Sequence, residues 1–195
     1  MAKRQLTRED IMPMEEYIPE RKERRRALTE RKRDRRIAVG PDVTFYFENY
    51  DTMWHQVHEM LYIEKGGEDQ IKDELMAYNP LIPQGNELVA TMMFEIDDPD
   101  RRNRELGRLG GVEDTITIRI GGDVVTAVSE TEVERTTDAG KTSSIHFLHF
   151  PFTAAQIKQF RDPETEVILS IGHTHYGHMA VISGTARTTL ADDFE

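Results

Sequence analysis

Cysteine is absent from this sequence, which removes disulfides, thiolate nucleophiles, iron–sulfur ligation and Cys-based zinc sites, and points to an intracellular protein. Long apolar runs are missing as well. No window approaches the roughly 18 apolar residues of a membrane span, and the charged N-terminus carries no signal-peptide core, so the expectation is a cytoplasmic protein with no membrane partner. Several catalytic signatures are also lacking: Gly-x-x-x-x-Gly-Lys-Ser/Thr, Gly-x-Gly-x-x-Gly before a helix, His-Glu-x-x-His and Gly-x-Ser-x-Gly. Nucleotide-dependent and serine-hydrolase readings lose most of their weight with them. Any metal, with Fe, Zn and Mn as the candidates, has to sit on His, Asp, Glu or Tyr.

What is present is charge, distributed unevenly. The chain of 195 residues carries a net charge of −11, yet residues 1–36 hold 13 Lys/Arg against 8 Asp/Glu, a balance of +5, and residues 37–195 hold 12 against 28, a balance of −16. A basic arm therefore precedes an acidic body, and the body is long enough to bury a core without staples. The division expected is a basic helical arm over 1–36 and a single domain over 37–195. From about Glu20 to Arg36 the arm has helix propensity but only Ala27 and Leu28 as apolar residues, so it has no core stripe. Such a helix lies across the acidic body, reaches a partner or stays partly disordered, with Ile11-Met12-Pro13-Met14, Tyr17 and Ile18 available to pin its start.

Beyond Gly40-Pro41-Asp42, alternation predicts a strand over Val43–Phe47. A helix capped at Asp51 or Thr52 is expected to run to about Lys65, where Gly66-Gly67 stops it. Stepping about 100° per residue gathers Met53, Trp54, Val57, Met60 and Leu61 on one face, with Glu64 inside the same arc and His55, His58, Glu59 and Tyr62 opposite. A second helix follows over Glu68–Tyr78, then a fixed turn around Pro80 and Pro83, a buried strand over Leu88–Ile96 and a charged helix over Asp97–Leu109. The second half reads as an antiparallel meander: Thr115–Ile120, Val124–Arg135 and Ser143–Phe150, with turns at Gly121-Gly122-Asp123 and Asp138-Ala139-Gly140-Lys141. Thr153 to Gln156 forms a capping box, with Phe152 placed to staple onto Ile157. Val167–Ile171 is a further strand, and Ala180–Leu190 reads as two short strands around Ser183-Gly184. Helices first and strands later make the class α+β, with a helical first half and an antiparallel β-meander sheet in the second half.

The seven histidines fall into three groups, His55/His58, His146/His149 and His173/His175/His178. Odd spacing on a strand sends His146 and His149 to opposite faces, both apolar, where a histidine is ordinarily a core residue satisfied by one hydrogen bond. His55 and His58, with Glu59, have ligand spacing on a helix, but their face is the polar one, which favours solvation. His173, His175 and His178 follow an apolar strand. Three readings stay open there: a surface turn, a metal site, or an acid–base pair. The candidate metal ligands are His173, His175, His178 and His146 with Glu48 or Glu64, because a buried carboxylate such as Glu64 has to be paired, protonated or bound to a cation.

Arg35-Arg36 through Gly40-Pro41, Phe47-Glu48-Asn49, Glu59-Met60-Leu61, Tyr78-Asn79-Pro80-Leu81-Ile82-Pro83, Ser144-Ile145-His146-Phe147, and His173 with Tyr176 run along nearly the whole chain. Together they resemble the bacterial family catalogued as domain of unknown function 3501. The resemblance implies a single-domain cytoplasmic protein and, through the rubrerythrin-like and iron–sulfur oxidoreductase proteins its members neighbour, an accessory role in redox or iron metabolism, including oxidative stress. The family's His-Pro-x-Tyr stretch reads His173-Thr174-His175-Tyr176 here. The proline is gone, so the resemblance carries over His173, Tyr176 and His146, with Glu48 and Glu59 beside them.

The first functional expectation is an accessory protein working through contacts, its basic arm (residues 1–36) meeting an acidic protein partner or the acidic body of a second copy in a homo-oligomer. The alternative is a His/carboxylate metal-binding protein or metalloenzyme built on the His173–His178 region. Nucleic acid fits poorly, because no aromatic stacking positions interleave the arginines and the acidic body repels phosphate.

Overall fold

The computed structural model describes residues 3–130 and 141–195 and has the expected α+β class. Its first helix, α1 (Met14–Arg33), starts earlier than predicted and carries Pro19 inside it. A proline normally marks the first turn of a helix, which is where helix propensity read from the sequence begins, at Glu20. The start is held instead by packing: Leu6, Ile11 and Tyr17 are all buried, while Ile18 is exposed. The chain then enters β1 (Arg36–Val39), a strand of four residues too short to register by alternation. β2 (Val43–Phe47), α2 (Tyr50–Glu64) and α3 (Gly67–Tyr78) follow close to expectation. Asn49 rather than Asp51 or Thr52 caps α2, its side chain accepting from the Thr52 amide.

β3 (Glu87–Phe94) is the central strand of a five-stranded antiparallel sheet ordered β1-β2-β3-β7-β6, where β6 is Val128–Ser129 and β7 is Ile145–Pro151. Being buried on both faces, it reads as a near-continuous apolar run. After α4 (Pro99–Leu106), a second, four-stranded sheet assembles in the order β5-β4-β8-β9 from β4 (Ile116–Ile120), β5 (Asp123–Thr126), β8 (Val167–His173) and β9 (Tyr176–Val181).

The predicted meander is thereby corrected. β4 and β5 form a hairpin in the second sheet, but β6 belongs to the first, so the chain changes sheets at Ala127 and Ser143–Phe150 pairs with β3. Alternation gives the strands but not their partners. The rest of the predicted strand beyond Glu130, and the turn at 138–140, lie outside the described residues. Ala180–Leu190 is corrected too: β9 ends at Val181, and α6 (Gly184–Ala191) is a helix. The capping box at Thr153 forms as expected and opens α5 (Ala154–Arg161), with Phe152 and Ile157 both in the core.

The two sheets pack face to face. Leu88, Ala90, Met92 and Phe94 of β3 and Leu148 and Phe150 of β7 meet Ile116, Ile118 and Ile120 of β4 and Leu169 and Ile171 of β8. Each Leu, Ile, Met or Phe side chain so removed from water contributes about 1.5–3 kcal/mol. The opposite face of the first sheet, through Val89 and Phe147, packs on Met53, Val57 and Leu61 of α2 and Ile71 of α3, together with Leu6 and Ile11 of the N-terminal segment. Helices, sheet and sheet form three layers, and α1 lies outermost against α2.

Candidate functional site

α1 and α2 meet through polar stripes of matching period. On α1 the inward positions are Tyr17, Arg21, Arg24 and Leu28, each a turn apart. On α2 they are His55, His58, Glu59 and Tyr62, the face expected to be solvated, joined by Trp54 from the edge of the apolar face. That expectation is corrected: His58 is fully buried and Glu59 is largely covered, because the arm itself is their cover.

Glu59 is the hub. Arg21 grips it with two parallel bonds, Nε to Oε1 at 2.8 Å and Nη2 to Oε2 at 2.7 Å, and the Tyr17 hydroxyl donates to Oε1 at 2.8 Å. Burial alone would raise the Glu59 carboxyl, but the bonds from Arg21 and Tyr17 outweigh it and hold the group below the usual range. The Tyr17 proton is committed to Glu59, so the His55 Nδ1 at 3.3 Å faces a phenol lone pair. Burial, with the Glu59 charge beside it, pushes the Tyr17 phenol far upward. Arg21 also lies 4.1 Å from the Tyr62 ring centroid and Arg24 5.1 Å from that of Trp54.

His58 fixes the segment before α1. Its Nδ1 lies 2.6 Å from the Trp54 carbonyl and its Nε2 accepts the Met12 amide at 3.0 Å, a pattern only the neutral Nδ1–H tautomer satisfies. The ring lies between two aromatic neighbours, its centroid 3.8 Å from that of Trp54 and 4.9 Å from that of Tyr17, tilted to each. Burial lowers its pKa to about 4.

With its inner cations engaged, α1 turns Lys22, Arg25, Arg26 and Arg33 outward, all exposed. At about 100° per residue Lys22, Arg26 and Arg33 fall within about 40° of one line, with Arg25 beside them. Arg25 and Arg33 approach carboxylates only at 3.8 Å, and Lys22 and Arg26 have no carboxylate partner among the described residues. The cleft of about 650 Å³ on the other side of α1 differs: its cations Lys3, Arg4, Arg31 and Arg35 each have an acid of their own, Asp10, Glu195, Asp51 and Asp193. Those pairs sew both ends of the chain to the body. The Arg35 guanidinium is buried and also donates to the Phe47 carbonyl at 2.9 Å and the Glu48 carbonyl at 3.1 Å.

The residues read from the sequence as metal ligands occupy separate places. His173 ends β8 and His175 lies in the turn before β9, their rings 5.7 Å apart and the His175 amide donating to His173 Nδ1 at 3.2 Å. His178 is paired opposite Ile171, its ring 4.5 Å from that of Tyr176. Gly40 is required there, since a Cβ on it would come within 2.6 Å of the His178 ring. His146 is buried between the sheets, its Nε2 3.1 Å from the Thr142 hydroxyl and 3.0 Å from the Ser143 carbonyl. Glu48 is buried on the helix side of the first sheet, accepting from the Thr91 hydroxyl at 2.8 Å. Glu64 is corrected: it is exposed in the last turn of α2, where Gln70 donates to it at 2.9 Å. The structure brings His173 and His175 together but not the six. Among the described residues no group of three His, Asp or Glu side chains is placed to hold a metal ion, and no helix is long and apolar enough to cross a membrane.

His149 is a further grouping the sequence did not show. Its Nδ1 meets Glu87 at 3.0 Å and its Nε2 meets Glu130 at 3.6 Å, and the Glu87 bond raises its pKa. The α1–α2 cluster was equally unannounced, although the one-turn spacing of Tyr17, Arg21 and Arg24 is the same as that of the α2 stripe and is the signal that could have paired them.

Comparison with known proteins gives a consistent picture. A family model described as "Protein of unknown function (DUF3501)" matches residues 5–194. A crystal structure of a novel protein of unknown function from Burkholderia pseudomallei is similar to this chain with a TM-score of 0.90 and 33% sequence identity, over 97% of this chain and 99% of that one. No curated protein matches.

Proposed function

We infer, for a chain that belongs to the DUF3501 family of proteins of unknown function, that it is a contact protein whose docked arm helix offers the Lys22, Arg25, Arg26 and Arg33 stripe to an acidic protein surface. The observation that carries this reading is the division of labour on α1. Arg21 and Arg31 are spent on α2 at Glu59 and Asp51, and Arg24 on Glu20 and the Trp54 ring, whereas the outward cations have no comparably close carboxylate among the described residues. Like charges so aligned repel one another and gain from an opposed acidic surface, mainly in association rate and specificity. The acidic surface belongs to another protein or to a second copy of this chain, whose body carries the −16 balance. A link to redox or iron metabolism is carried by the family resemblance of the sequence.

Deleting the arm does not test this reading, because Leu6, Ile11 and Tyr17 are core residues. The test is the triple charge reversal Lys22→Glu, Arg26→Glu, Arg33→Glu at exposed positions. Light scattering follows self-association, and fluorescence anisotropy follows binding of a labelled poly-glutamate probe, both at low and high salt. The expected result is association that weakens with salt and disappears in the triple variant. Association unchanged by the reversal would overturn it.

A further inference from the structure

Beside the start of α1 a groove of about 620 Å³ opens between the N-terminal segment, α2 and α3. Its floor and walls are Met12, Met14, Ile18, Leu61, Tyr62 and Ile71, and its rim carries Arg8 and Lys65. The two rim cations are not equivalent. Arg8 is gripped by both carboxylate oxygens of Glu68, whereas Lys65 has no acidic partner among the described residues. Lys65 is also the one described non-glycine residue at positive φ, +56°. It sits where a helix end ordinarily places glycine, immediately before Gly66.

The groove and the basic stripe form one continuous surface. Ile18 is 51% exposed and lies on the outward face of α1, within about 40° of Lys22. An apolar trough at the N-terminal end of α1 therefore runs into a row of cations toward its C-terminal end. From Ile18 to Arg33 the helix rises about 22 Å at about 1.5 Å per residue, the length of a helical segment of four turns. Two methionines in the trough supply an unbranched lining that adapts to varied side chains.

We propose that this surface receives an amphipathic acidic segment of a protein partner, its apolar side chains at i, i+3 and i+4 entering the groove and its carboxylates meeting Lys65, Lys22, Arg25 and Arg26. Two physical features choose this occupant. The site is concave, which suits an inserted segment better than the plane of a bilayer, and its apolar trough and cations are displaced along one line, as in helix-in-groove recognition. The proposal rests on the contact reading of the stripe and adds the chemistry of the segment that binds.

The test uses the full chain with isotope-labelled methionine methyl groups and a fluorescent designed peptide, leucine at helical i, i+3, i+4 and i+7 spacing and glutamate elsewhere. A control peptide replaces leucine by serine at equal charge. Binding of the leucine peptide is expected to shift the Met12 and Met14 methyl signals and to weaken about tenfold or more in Ile18→Asp, about 1.4 kcal/mol or more. Circular dichroism establishes that this exposed-site variant is folded, and the methyl shifts test the unmodified protein independently. Equal binding of the serine peptide overturns the groove while leaving the charge reading standing. Binding lost in Ile18→Asp but unaffected by Lys22→Glu with Arg26→Glu keeps the groove and overturns the role of the stripe. Binding of neither peptide, or displacement of the leucine peptide by phosphatidylglycerol vesicles, overturns the proposed partner.

Discussion

The backbone amide of Met12 donates to Nε2 of His58 at 3.0 Å, so the segment leading into α1 hangs on an imidazole that has to stay neutral. Protonation turns that acceptor into a donor aimed at another donor. With its pKa lowered by burial to about 4 in the folded chain, against about 6.5 for an exposed imidazole, His58 favours the fold fully above about pH 6.5. Its contribution is lost as pH falls from there through about 4. The loss amounts to roughly 3 kcal/mol. Urea unfolding between pH 7 and pH 4 measures it, and His58→Gln, which does not titrate, is expected to show a flatter profile in that window. An equal slope in the two proteins would refute the assignment.

His149 has the opposite sign. Its hydrogen bond to Glu87, joined by the charge of Glu130, outweighs burial and raises the imidazole above its ordinary value. A raised histidine stabilises the fold fully below about pH 6.5 and loses that contribution as pH rises through its folded pKa. The His149 ring protons, followed by NMR, are expected to titrate above the free-imidazole range. Glu87→Gln is expected to return them toward it, and a titration point that Glu87→Gln does not lower would remove Glu87 as the cause.

Arg35 and Asp193 form a buried ion pair that ties the region after α6 to the junction of α1 and β1. Burial raises the Asp193 carboxyl, and the Arg35 charge opposes that. Asp193→Ala leaves the guanidinium buried with only its two carbonyl acceptors, an expected loss of about 3 kcal/mol, within the range for breaking one side of such a pair. Denaturant unfolding measures it; a loss below about 1 kcal/mol would mean that water reaches the site freely.

The Glu59 hub is tested by a double-mutant cycle with Arg21→Gln and Glu59→Gln. A bidentate pair that also holds the Tyr17 hydroxyl is expected to show a favourable coupling that either single variant removes. Salt discriminates further: the part of the coupling that comes from charge alone weakens as salt rises, and the part that comes from the two parallel hydrogen bonds remains. Coupling indistinguishable from zero would make the contact incidental.

The parts of the structure legible in the sequence are those governed by one periodicity. β2, β3, α2 and α3 and the capping box at Thr153 depend on local spacing and capping chemistry, and they stand where spacing puts them. The sheet change at Ala127 depends on which strands meet, a long-range choice that alternation within β5 and β6 does not contain. The same limit applied to the histidines. Opposite faces for His146 and His149 followed from strand parity, but the solvated face assigned to His55 and His58 ignored that a polar helix can be the cover. A helix without an apolar stripe docks when its polar side chains find polar partners, and Tyr17, Arg21 and Arg24 show that arrangement. Glu64 misled for a related reason. The apolar arc of α2 is defined by its middle turns, and the last turn runs beyond them into solvent beside Gln70.

Lys65 separates stability from contact. At φ +56° a side chain bearing Cβ is held in the left-handed region, at about 1–2 kcal/mol relative to an unstrained residue. Glycine relieves most of that strain but loses more chain entropy on folding, so Lys65→Gly is expected to raise stability by a net of about 1 kcal/mol. If the lysine served only to end α2, the variant would be more stable and otherwise unchanged. The groove reading requires a second effect, weaker binding of the acidic leucine peptide in the more stable protein. Urea unfolding and peptide anisotropy on the same preparation read both quantities. A gain in stability with undiminished binding would leave the strain without a functional reason and take Lys65 out of the site.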